Sequence, residues 1–553
     1  MLRYMFFAVW ISAGCTKKST GNETPPAPPA PASFSVRAWT VNGQPTQAMY
    51  YGVSERPAIA LNFGAPVNRS TVAAGIAWSR ASAAVAYNIT YQHGDSTLTI
   101  QPAQPLLFLT PYTLTLTSGL KSAAGGSLDK TTTIAFNTGI DSADKFPRIS
   151  DDALLDLVQQ KTFSYFWDFG HPASGLARER NTSGDVVTTG GSGFGVMAIV
   201  TAINRNFISR TDGVSRLQKI VGFLKNKAQT FHGAFPHWLN GSTGAVIPFS
   251  EKDNGADLVE TSYLMQGLLA ARQYFNGADA TETTLRNDIN TLWNGVEWSW
   301  FRKNNENVLY WHWSPDYGWQ MNVPVRGWNE ALITYVLAAA SPKFAIPKDV
   351  YDEGWAANGG IKNGNQYFGE TLPLGPQNGG PLFFEHYSFL GIDPNNLKDS
   401  YADYGQQTKA HTLINYKYCV ADPKQFYGYS AQCWGLTASD DINGYAAHEP
   451  QNDNGVISPT AAISSLPYTP EQSMAALKFF YYTLGDKLWK EYGFVDAFSL
   501  HHLWFADSFL AIDQGPEIVM IENYRSGLLW NLFMSCPEVK TGMKNLGFTS
   551  PRL

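Results

Sequence analysis

Three groups of acidic residues in this chain have residue types and spacings suited to proton transfer. The first lies in "EKDNGADLVETSYLMQG", where Asp253, Asp257 and Glu260 are separated by four and then three positions. If a helix begins at Asp257, the last two carboxylates lie in its first turn. The same pattern fits a capping box, in which Asp257 accepts backbone N–H groups and Glu260 bonds back. The residues alone leave both interpretations open.

The second group consists of one residue, Glu330, in "PVRGWNEALITYVLAAAS". The segment that follows is apolar enough to predict a buried inner helix, and the positive end of its dipole would lower the pKa of Glu330. A general acid needs the opposite shift, which burial against Trp328 or a neighbouring carboxylate supplies. The alternative is an acid that only complements the helix dipole.

The third group lies in "WFADSFLAIDQGPEIVMIENYRSG", where Asp513 heads a predicted Gln–Gly–Pro turn and Asp507 is close by. A turn-forming Asp is the structural alternative. Two separated carboxylates can hydrolyse a glycosidic bond, because one protonates the leaving oxygen while the other activates water or attacks the anomeric carbon. We expect Glu330 to donate the proton, and Asp257 and Glu260 mainly to position the sugar.

Aromatic and basic side chains that could contact a sugar lie in the loops. The segment "WDFGHPASGLARERN" contains Arg178 and Arg180, which can donate to hydroxyl groups, and Trp167, which can stack on a sugar ring or pack beneath it. Glu179 can hold the two arginines. Further candidate sugar contacts in other loops and motifs are Trp238, Arg326, Trp328, Glu385 and His386.

These residues must be positioned by two kinds of structure. Residues 34–138 show period-two alternation, β-branched residues and closely spaced turns, for example in "PAIALNF", "STLTIQP" and "TTTIAFNT", which predicts an immunoglobulin-type β-sandwich. From about residue 147 the period changes to that of helices. Predicted helices cover 151–168, 192–207, 213–229, 257–275, 283–300, 327–341, 381–391, 399–417, 470–484 and 523–535.

The helices alternate between two kinds. Some are apolar all round, as in "GFGVMAIVTAI", and others have one polar face, as in "GVSRLQKIVGFLKNKAQ". This alternation predicts two concentric rings, an (α/α)6 toroid spanning 147–553, so the fold class is mainly α behind a small all-β domain. The long aromatic loops 231–256, 301–326, 352–380 and 419–466 are expected to gather over the inner helices and form a cleft.

Composition excludes several classes of function. The chain has 553 residues, a net charge of −6 and no basic run beyond Lys17–Lys18, so we expect no nucleic-acid partner. Its 17 Trp residues fit either a large core or sugar platforms. The four Cys residues form no disulfide framework, and no ligand spacing, nucleophile elbow or phosphate loop is visible, so we expect neither a metal nor a cofactor.

The first residues predict export. Arg3 precedes an apolar run from Met5 to Ala13, and small residues then lead to Cys15, as in a bacterial lipoprotein signal, although Ser12 stands where such signals usually have Leu. An ordinary secretory signal is the alternative. Residues 16–33 predict a Pro-rich tether. We therefore expect a monomer in the periplasm or at the outer membrane, with membrane contact only through a lipid on Cys15.

Six motifs in this order resemble the glucoamylase-like family of Bacteroidetes lipoproteins, glycoside hydrolase family 144: "FSYFWDFGHPASGLARERN", "TTGGSGFG", "DLVETSYLMQGLL", "WNEALITYVLAAASP", "GPLFFEHYSFLGIDP" and "DQGPEIVMIENYRSGLLW". The resemblance covers about 147–549. It implies an inverting, metal-free hydrolase of β-1,2-glucan, either endo-acting or sophorose-releasing. By motif, the family's acidic cleft residues correspond to Asp253, Asp257, Glu260, Glu330 and Asp513. The segment before 138 resembles bacterial Ig-like domains.

Two rival functions follow from the same fold. A non-catalytic glycan-binding lipoprotein would keep the aromatic residues without an acid pair. A polysaccharide lyase on a similar toroid would need a Tyr/His pair and basic residues for an acidic polymer, which the negative net charge disfavours. We therefore expect a neutral glucan as substrate.

Overall fold

The computed structural model describes residues 30–553, which divide into two compact units between Thr138 and Gly139. The predicted signal segment 1–15 with Cys15, and the tether up to residue 29, lie outside the described residues. Among residues 30–553, no helix combines the length and apolarity that a membrane crossing requires.

The first unit is the predicted β-sandwich. Its two sheets have the strand orders β1-β3-β7-β6 and β2-β9-β8-β4-β5. Alternate residues face the core, so that Leu98 and Ile100 on β7 are fully buried while Gln101 on the same strand is exposed. The strands are β1 Val36–Val41, β2 Tyr50–Val53, β3 Ile59–Phe63, β4 Ile76–Arg80, β5 Ala83–Ala84, β6 Tyr87–Gln92, β7 Thr97–Pro102, β8 Pro111–Leu116 and β9 Thr132–Thr138, with the short helix α1 Val72–Gly75 between β3 and β4.

The second unit is helical. Its α-helices are α2 Asp151–Trp167, α3 Thr189–Asn204, α4 Arg210–Asn226, α5 Leu258–Tyr274, α6 Ala280–Gly295, α7 Leu332–Ala340, α8 Tyr404–Ala421, α9 Pro459–Ile463, α10 Pro470–Lys478, α11 Gly485–Leu488, α12 Ala511–Ser526, α13 Leu528–Phe533 and α14 Pro537–Leu546. Single helical turns occur at Trp298–Arg302, Val350–Trp355, Ala357–Gly359, Gln377–Gly379, Leu382–Glu385, Ser388–Leu390 and Phe479–Thr483.

The loops of this unit contain short strands that pair with one another. Two of these pairings position site residues: β10 with β11, and β13 with β14. The strands are β10 Val186–Thr188, β11 Trp238–Asn240, β12 Val246–Ile247, β13 Ala256–Asp257, β14 His312–Trp313, β15 Gln366–Tyr367, β16 Glu370–Thr371, β17 Ala438–Asp441, β18 Gly444–Ala447, β19 Trp489–Lys490, β20 Gly493–Phe494, β21 Phe498–Ser499 and β22 Trp504–Phe505.

The inner helices form the predicted ring. Helix α12 packs against α3, α3 against α5, and α5 against α7, while α4 and α6 pack outside α3 and α5. The α3–α5 crossing is made through glycines: a Cβ atom on Gly193 would lie 2.2 Å from the carbonyl oxygen of Tyr263, and one on Gly267 would lie 2.1 Å from the carbonyl oxygen of Gly193. The fold class predicted from the sequence, an Ig-like sandwich followed by a helical toroid, is confirmed.

Two helix predictions are wrong. Segment 381–391 forms two separate single turns, Leu382–Glu385 and Ser388–Leu390. The helix predicted at 523–535 instead starts at Ala511 and breaks at Gly527, which has a φ of +67°. Pro516 lies early in α12 and removes one backbone donor. Gly515 is needed there for contact with α3, since a Cβ atom would lie 2.4 Å from Cβ of Phe194.

Candidate active site

A cavity of about 430 Å³ opens at the ends of the inner helices where α3, α5, α7 and α12 begin. Its size suits a small ligand. Three carboxylates and two basic side chains line it: Glu179, Glu260, Glu330, Arg180 and His237. Its aromatic residues are Trp238, Phe249, Tyr263, Trp311, Phe383, Tyr387 and Tyr445.

Asp257 is the N-cap of α5 and is completely buried. Its Oδ1 accepts from the backbone N–H of Glu260 at 2.9 Å, and its Oδ2 lies 3.1 Å from Nδ1 of His237. Pairing of β13 with β14 brings His312 to within 3.6 Å of the same carboxylate. Burial opposes ionisation, but the hydrogen bond from His237 and the charge of His312 hold the pKa of Asp257 below its usual range.

Asp253 and His237 complete this group of charges. Asp253 is 4% exposed, and its Oδ1 has no hydrogen-bond partner among the described residues. Burial, followed by the charge of Asp257, raises the pKa of Asp253 to about 7. Burial alone would lower the pKa of His237, yet Glu260 and Asp257 raise it to about 9, so His237 is a cation at neutral pH.

Glu260 lies between α5 and the start of α3. Its Oε2 accepts from the backbone N–H of Gly190 at 2.7 Å. A Cβ atom on residue 190 would lie 2.6 Å from that oxygen, so the glycine of "TTGGSGFG" leaves room for the carboxylate. Glu260 does not reach back to Asp257 as a capping box requires; instead Asp257 alone caps the helix. Burial raises the pKa of Glu260.

Glu330 lies two residues before α7, at the cavity wall. Its backbone is anchored by Ser388, whose hydroxyl donates to the carbonyl oxygen of Glu330 and also accepts from the N–H of Ile333. Burial, together with the charges of Glu260 and Asp257, raises the pKa of Glu330 to about 7. The carboxyl group thus has the protonation behaviour required of a general acid near neutral pH.

Asp513 lies in the first turn of α12 and is 2% exposed. It is next to Asp496, whose Oδ2 accepts from the backbone N–H of Asp440 at 2.7 Å. Its neighbours Leu510 and Ile512 line the cavity. Asp507, the alternative suggested by the sequence, is exposed to solvent.

Two of the predicted sugar contacts line the cavity. Trp238 reaches it because β11 pairs with β10 at Thr188, directly before α3. The indole N–H of Trp238 and the hydroxyl of Tyr263 are buried without a hydrogen-bond partner in the described part of the chain. Arg180 also lines the cavity, but its Nη1 is bound to Asp440 at 3.1 Å and its Nε to Glu179 at 3.1 Å.

Two other predicted contacts in the same segment are corrected. Trp167 packs beneath the loop: its ring stacks on Phe163 at 5.5 Å and lies 4.2 Å from the guanidinium of Arg216. Arg178 lies over the ring of Phe169 at 4.5 Å and donates to the carbonyl oxygen of Phe169. These partners occupy the surfaces that a sugar would need.

Three more of the predicted sugar contacts, Trp328, Glu385 and His386, are buried in the interior. Trp328 donates from its indole N–H to Oε1 of Glu385 at 3.1 Å, and Glu385 is completely buried. His386 is 2% exposed and bonds to Ser465 at 3.0 Å. None of the three lines the cavity, and all three are buried. Arg326 is exposed to solvent.

The sequence analysis named only Trp238 among the aromatic residues of the cavity, and two of those that it missed are exposed. Phe249 is 50% exposed and packs 4.3 Å from the ring of His237. Tyr445 is 53% exposed and comes from the β17–β18 hairpin. Exposed rings at a cavity rim are suited to contact the apolar face of a sugar. Their positions depend on hairpin geometry, and the only signal in the sequence was the length of the loops that carry them.

A metal ion could also be held here. One ligand atom each from His237, Asp253 and Asp257 lies within 4.8 Å of the others. The sequence analysis did not recognise this set because His237 lies in a different segment from Asp253 and Asp257. The raised pKa of His237 favours its cationic form, which offsets the charge of the Asp257 carboxylate to which it is hydrogen-bonded.

Two families match this chain. The family described as "Putative glucoamylase" matches residues 322–537, and the bacterial Ig-like domain family matches residues 38–138. Among solved structures, the endo-β-1,2-glucanase from Chitinophaga pinensis in complex with sophorotriose and glucose is 55% identical, with a TM-score of 0.72, over 73% of this chain and all of that one.

Two proteins from Parabacteroides distasonis are also similar. A solved β-1,2-glucanase is 39% identical with a TM-score of 0.71, over 95% of this chain and 74% of that one. An exo β-1,2-glucooligosaccharide sophorohydrolase acting at the non-reducing end is 48% identical over 428 residues, which are 73% of this chain. The match spans 59% of the length of this curated relative.

Proposed function

This chain belongs to the glucoamylase-like family of glycoside hydrolases that includes bacterial β-1,2-glucanases, and on that premise we propose that it hydrolyses β-1,2-glucan or its oligosaccharides with inversion at the anomeric carbon. The substrate is a neutral glucan, consistent with a cavity whose wall combines aromatic rings with free N–H and O–H donors.

One observation carries the assignment of the proton donor. Glu330 is a cavity-wall carboxyl whose pKa is raised to about 7 by burial and by the charges of Glu260 and Asp257. We propose that Glu330 protonates the leaving oxygen, because near neutral pH it keeps a proton that an ordinary Glu would have lost. Asp257 and Glu260 maintain this shift and position the sugar.

We propose that Asp513 takes the proton of the attacking water. The start of α12 lies beyond α3 and α5 from the start of α7, since α12 packs on α3, α3 on α5 and α5 on α7. Inverting hydrolysis needs its two carboxyl groups on opposite sides of the bond, with room for a water molecule. Glu330 and Asp513 lie at the starts of different helices, whereas Asp253, Asp257 and Glu260 lie together at the start of α5.

The direct test is digestion of defined glucans after exhaustive chelation. We expect the EDTA-treated protein to release oligosaccharides from β-1,2-glucan, and to leave β-1,3-, β-1,4- and α-linked glucans intact. Proton NMR in the first minutes should show new reducing ends in the α configuration, because inversion of a β-linkage gives the α-anomer. Product sizes over time distinguish internal cleavage from sophorose release.

Each of the other outcomes would reject part of the proposal. Activity that is lost on chelation and restored by one divalent metal would show that His237, Asp253 and Asp257 hold an essential ion. Binding of β-1,2-glucan without cleavage would identify a glycan-binding protein. An unsaturated product that absorbs ultraviolet light would identify a lyase. A β-anomer as the first product would indicate retention of configuration.

We further propose that the protein is an exported monomer, anchored through a lipid on Cys15. The support is the apolar run and the Ser12–Ala13–Gly14–Cys15 sequence. In a bacterial host, labelled palmitate should be incorporated into the full chain, and Cys15→Ala should abolish labelling and release the protein from the membrane fraction. Membrane-free, unlabelled wild-type protein would instead support an ordinary secretory signal. Light scattering of the purified protein tests the monomer.

A further inference from the structure

A second hollow, of about 600 Å³, adjoins the cavity on the helical unit. We call it the outer groove, and its aromatic residues are Tyr445, Trp504 and Phe505. Arg180 and Tyr445 line both the cavity and the outer groove, so the two hollows meet at these side chains. A linear ligand that fills the cavity can therefore extend past Tyr445 into the outer groove.

The two sides of the outer groove are bonded to each other. One side is the β17–β18 hairpin, which carries Tyr445, and the other is the segment 504–508. The carboxylate of Asp440, on the hairpin, accepts from Oγ of Ser508 at 2.6 Å and from Nη1 of Arg180 at 3.1 Å. Because these bonds fix the two sides, a ligand does not have to order them, and binding costs less conformational entropy.

Two side chains of the outer groove have unused binding capacity. Trp504 is half-buried, yet within residues 30–553 its ring contacts no other aromatic ring and its indole N–H donates to no acceptor. Its neighbour Phe505, in contrast, lies parallel to Phe498 at 6.3 Å. Nη2 of Arg180 also donates to no acceptor in the same range, although Nε and Nη1 are both bonded. An indole ring and a free N–H donor are suited to the apolar face and the hydroxyl groups of a sugar.

The charges of the outer groove favour a neutral ligand. Apart from Arg180, every charged side chain in its lining is a carboxylate, and Arg180 is already paired with Asp440. Such a lining repels a polyanion. Carboxylates accept hydrogen bonds from the hydroxyl groups of a neutral sugar, and aromatic rings pack against its C–H groups.

We propose that the outer groove binds further glucose units of the same β-1,2-glucan chain whose scissile bond lies in the cavity, and that Trp504 is the ring on which one of these units stacks. This inference rests on the proposed function, from which it takes its ligand. The cavity of about 430 Å³ is near the lower end of the range for small-ligand sites, so it holds only a short oligosaccharide. Longer chains gain additional contacts in the outer groove, and the protein should prefer them.

A series of chain lengths tests the proposal. Initial rates are measured on β-1,2-gluco-oligosaccharides of increasing length and on the polymer, and kcat/KM of the wild type should rise with length and then level off. Trp504→Ala should lower kcat/KM on the polymer about tenfold and leave the shortest cleaved oligosaccharide unaffected. The loss should appear in KM with kcat retained, because a contact far from the scissile bond stabilises the ground state and the transition state equally.

Two further variants separate stacking from support of the fold. Trp504→Phe keeps a smaller ring and should recover most of the lost kcat/KM on the polymer. Tyr524→Ala is the matched control, since it removes an exposed ring of α12 that lines neither the cavity nor the outer groove. It should match the wild type at every chain length. A residue that only supports the fold would lower the rate by the same factor on short and long chains.

Calorimetric titration distinguishes failure of this inference from failure of the proposed function. The affinity of the Glu330→Gln protein for β-1,2-gluco-oligosaccharides should rise with length, and adding Trp504→Ala should remove that rise, whether or not the wild type cleaves them. The inference is overturned, while the proposed function stands, if folded Trp504→Ala cleaves and binds every length like its parent, or loses the same factor on all of them. If the wild type neither binds nor cleaves β-1,2-glucan, both are overturned.

Discussion

Glu330→Gln should reduce hydrolysis of β-1,2-glucan by about 10²–10⁴-fold while leaving the protein folded and able to bind oligosaccharide. The glutamine amide has the shape of the acid but no transferable proton. The backbone of residue 330 keeps its contact with Ser388, so the start of α7 should not move. Initial rates measure the first effect, and calorimetric titration with an oligosaccharide that the variant cannot cleave measures the second.

An activated aryl glycoside separates proton donation from other roles of Glu330. A leaving group that departs without protonation does not need the general acid, so much of the rate should return on such a substrate, if it is accepted. Glu353→Gln is the matched control, because Glu353 is exposed and lies away from the cavity wall; it should retain the wild-type rate. If Glu330→Gln keeps near-normal turnover on glucan while folded Glu260→Gln is inactive, the proton donor belongs to the Asp253–Asp257–Glu260 cluster.

Glu330 has a raised pKa although it lies near the start of a helix, where the helix dipole favours the ionised form. The dipole of α7 would lower the pKa, but the helix begins only at Leu332 and Glu330 stands outside its first turn. Burial and the two charges on α5, Asp257 and Glu260, have the larger effect. The sequence analysis named the helix dipole and burial as opposing influences on the pKa of Glu330. Which of them is larger depends on how α5 and α7 pack, and the sequence does not show that.

Local patterns predicted most of the elements. The period-two segments predicted strands β3, β7 and β9 to within two residues, and the apolar segments form the inner helices α3, α5 and α7. The first part of helix α12, before residue 523, was not predicted, because a Gly515–Pro516 sequence is typical of a turn. Its glycine is there for contact with Phe194 across the ring, which only the tertiary structure reveals.

The site was predictable to the extent that its residues follow one another in the chain. Glu260 and Glu330 stand in recognisable motifs and line the cavity. Trp328 and Glu385 also stand in motifs, but they bond to each other in the interior, because a motif does not distinguish a sugar contact from a buried partner. Asp496 stands in no motif, and only the fold brings its carboxylate to the backbone N–H of Asp440.

Asp513→Ala should lower hydrolysis by about 10²–10⁴-fold, because the attacking water then has no base. The substitution removes a buried side chain, so circular dichroism and thermal unfolding must first show a folded protein. Asp507→Ala, which truncates an exposed carboxylate nearby, should retain the wild-type rate. The loss should appear in kcat, because a base acts in the chemical step and Asp513 is only 2% exposed.

Azide distinguishes loss of a base from loss of structure. It is a nucleophile that needs no deprotonation, and the space left by Asp513→Ala admits a small anion beside the cavity. Sodium azide should therefore accelerate Asp513→Ala and yield an α-glycosyl azide, because attack still comes from the face opposite the leaving oxygen. Glu330→Gln should not be rescued, since its defect lies in the leaving group. Rescue of Asp257→Ala in place of Asp513→Ala would assign the water-activating carboxylate to the start of α5, and Asp513 would then be a structural residue of α12.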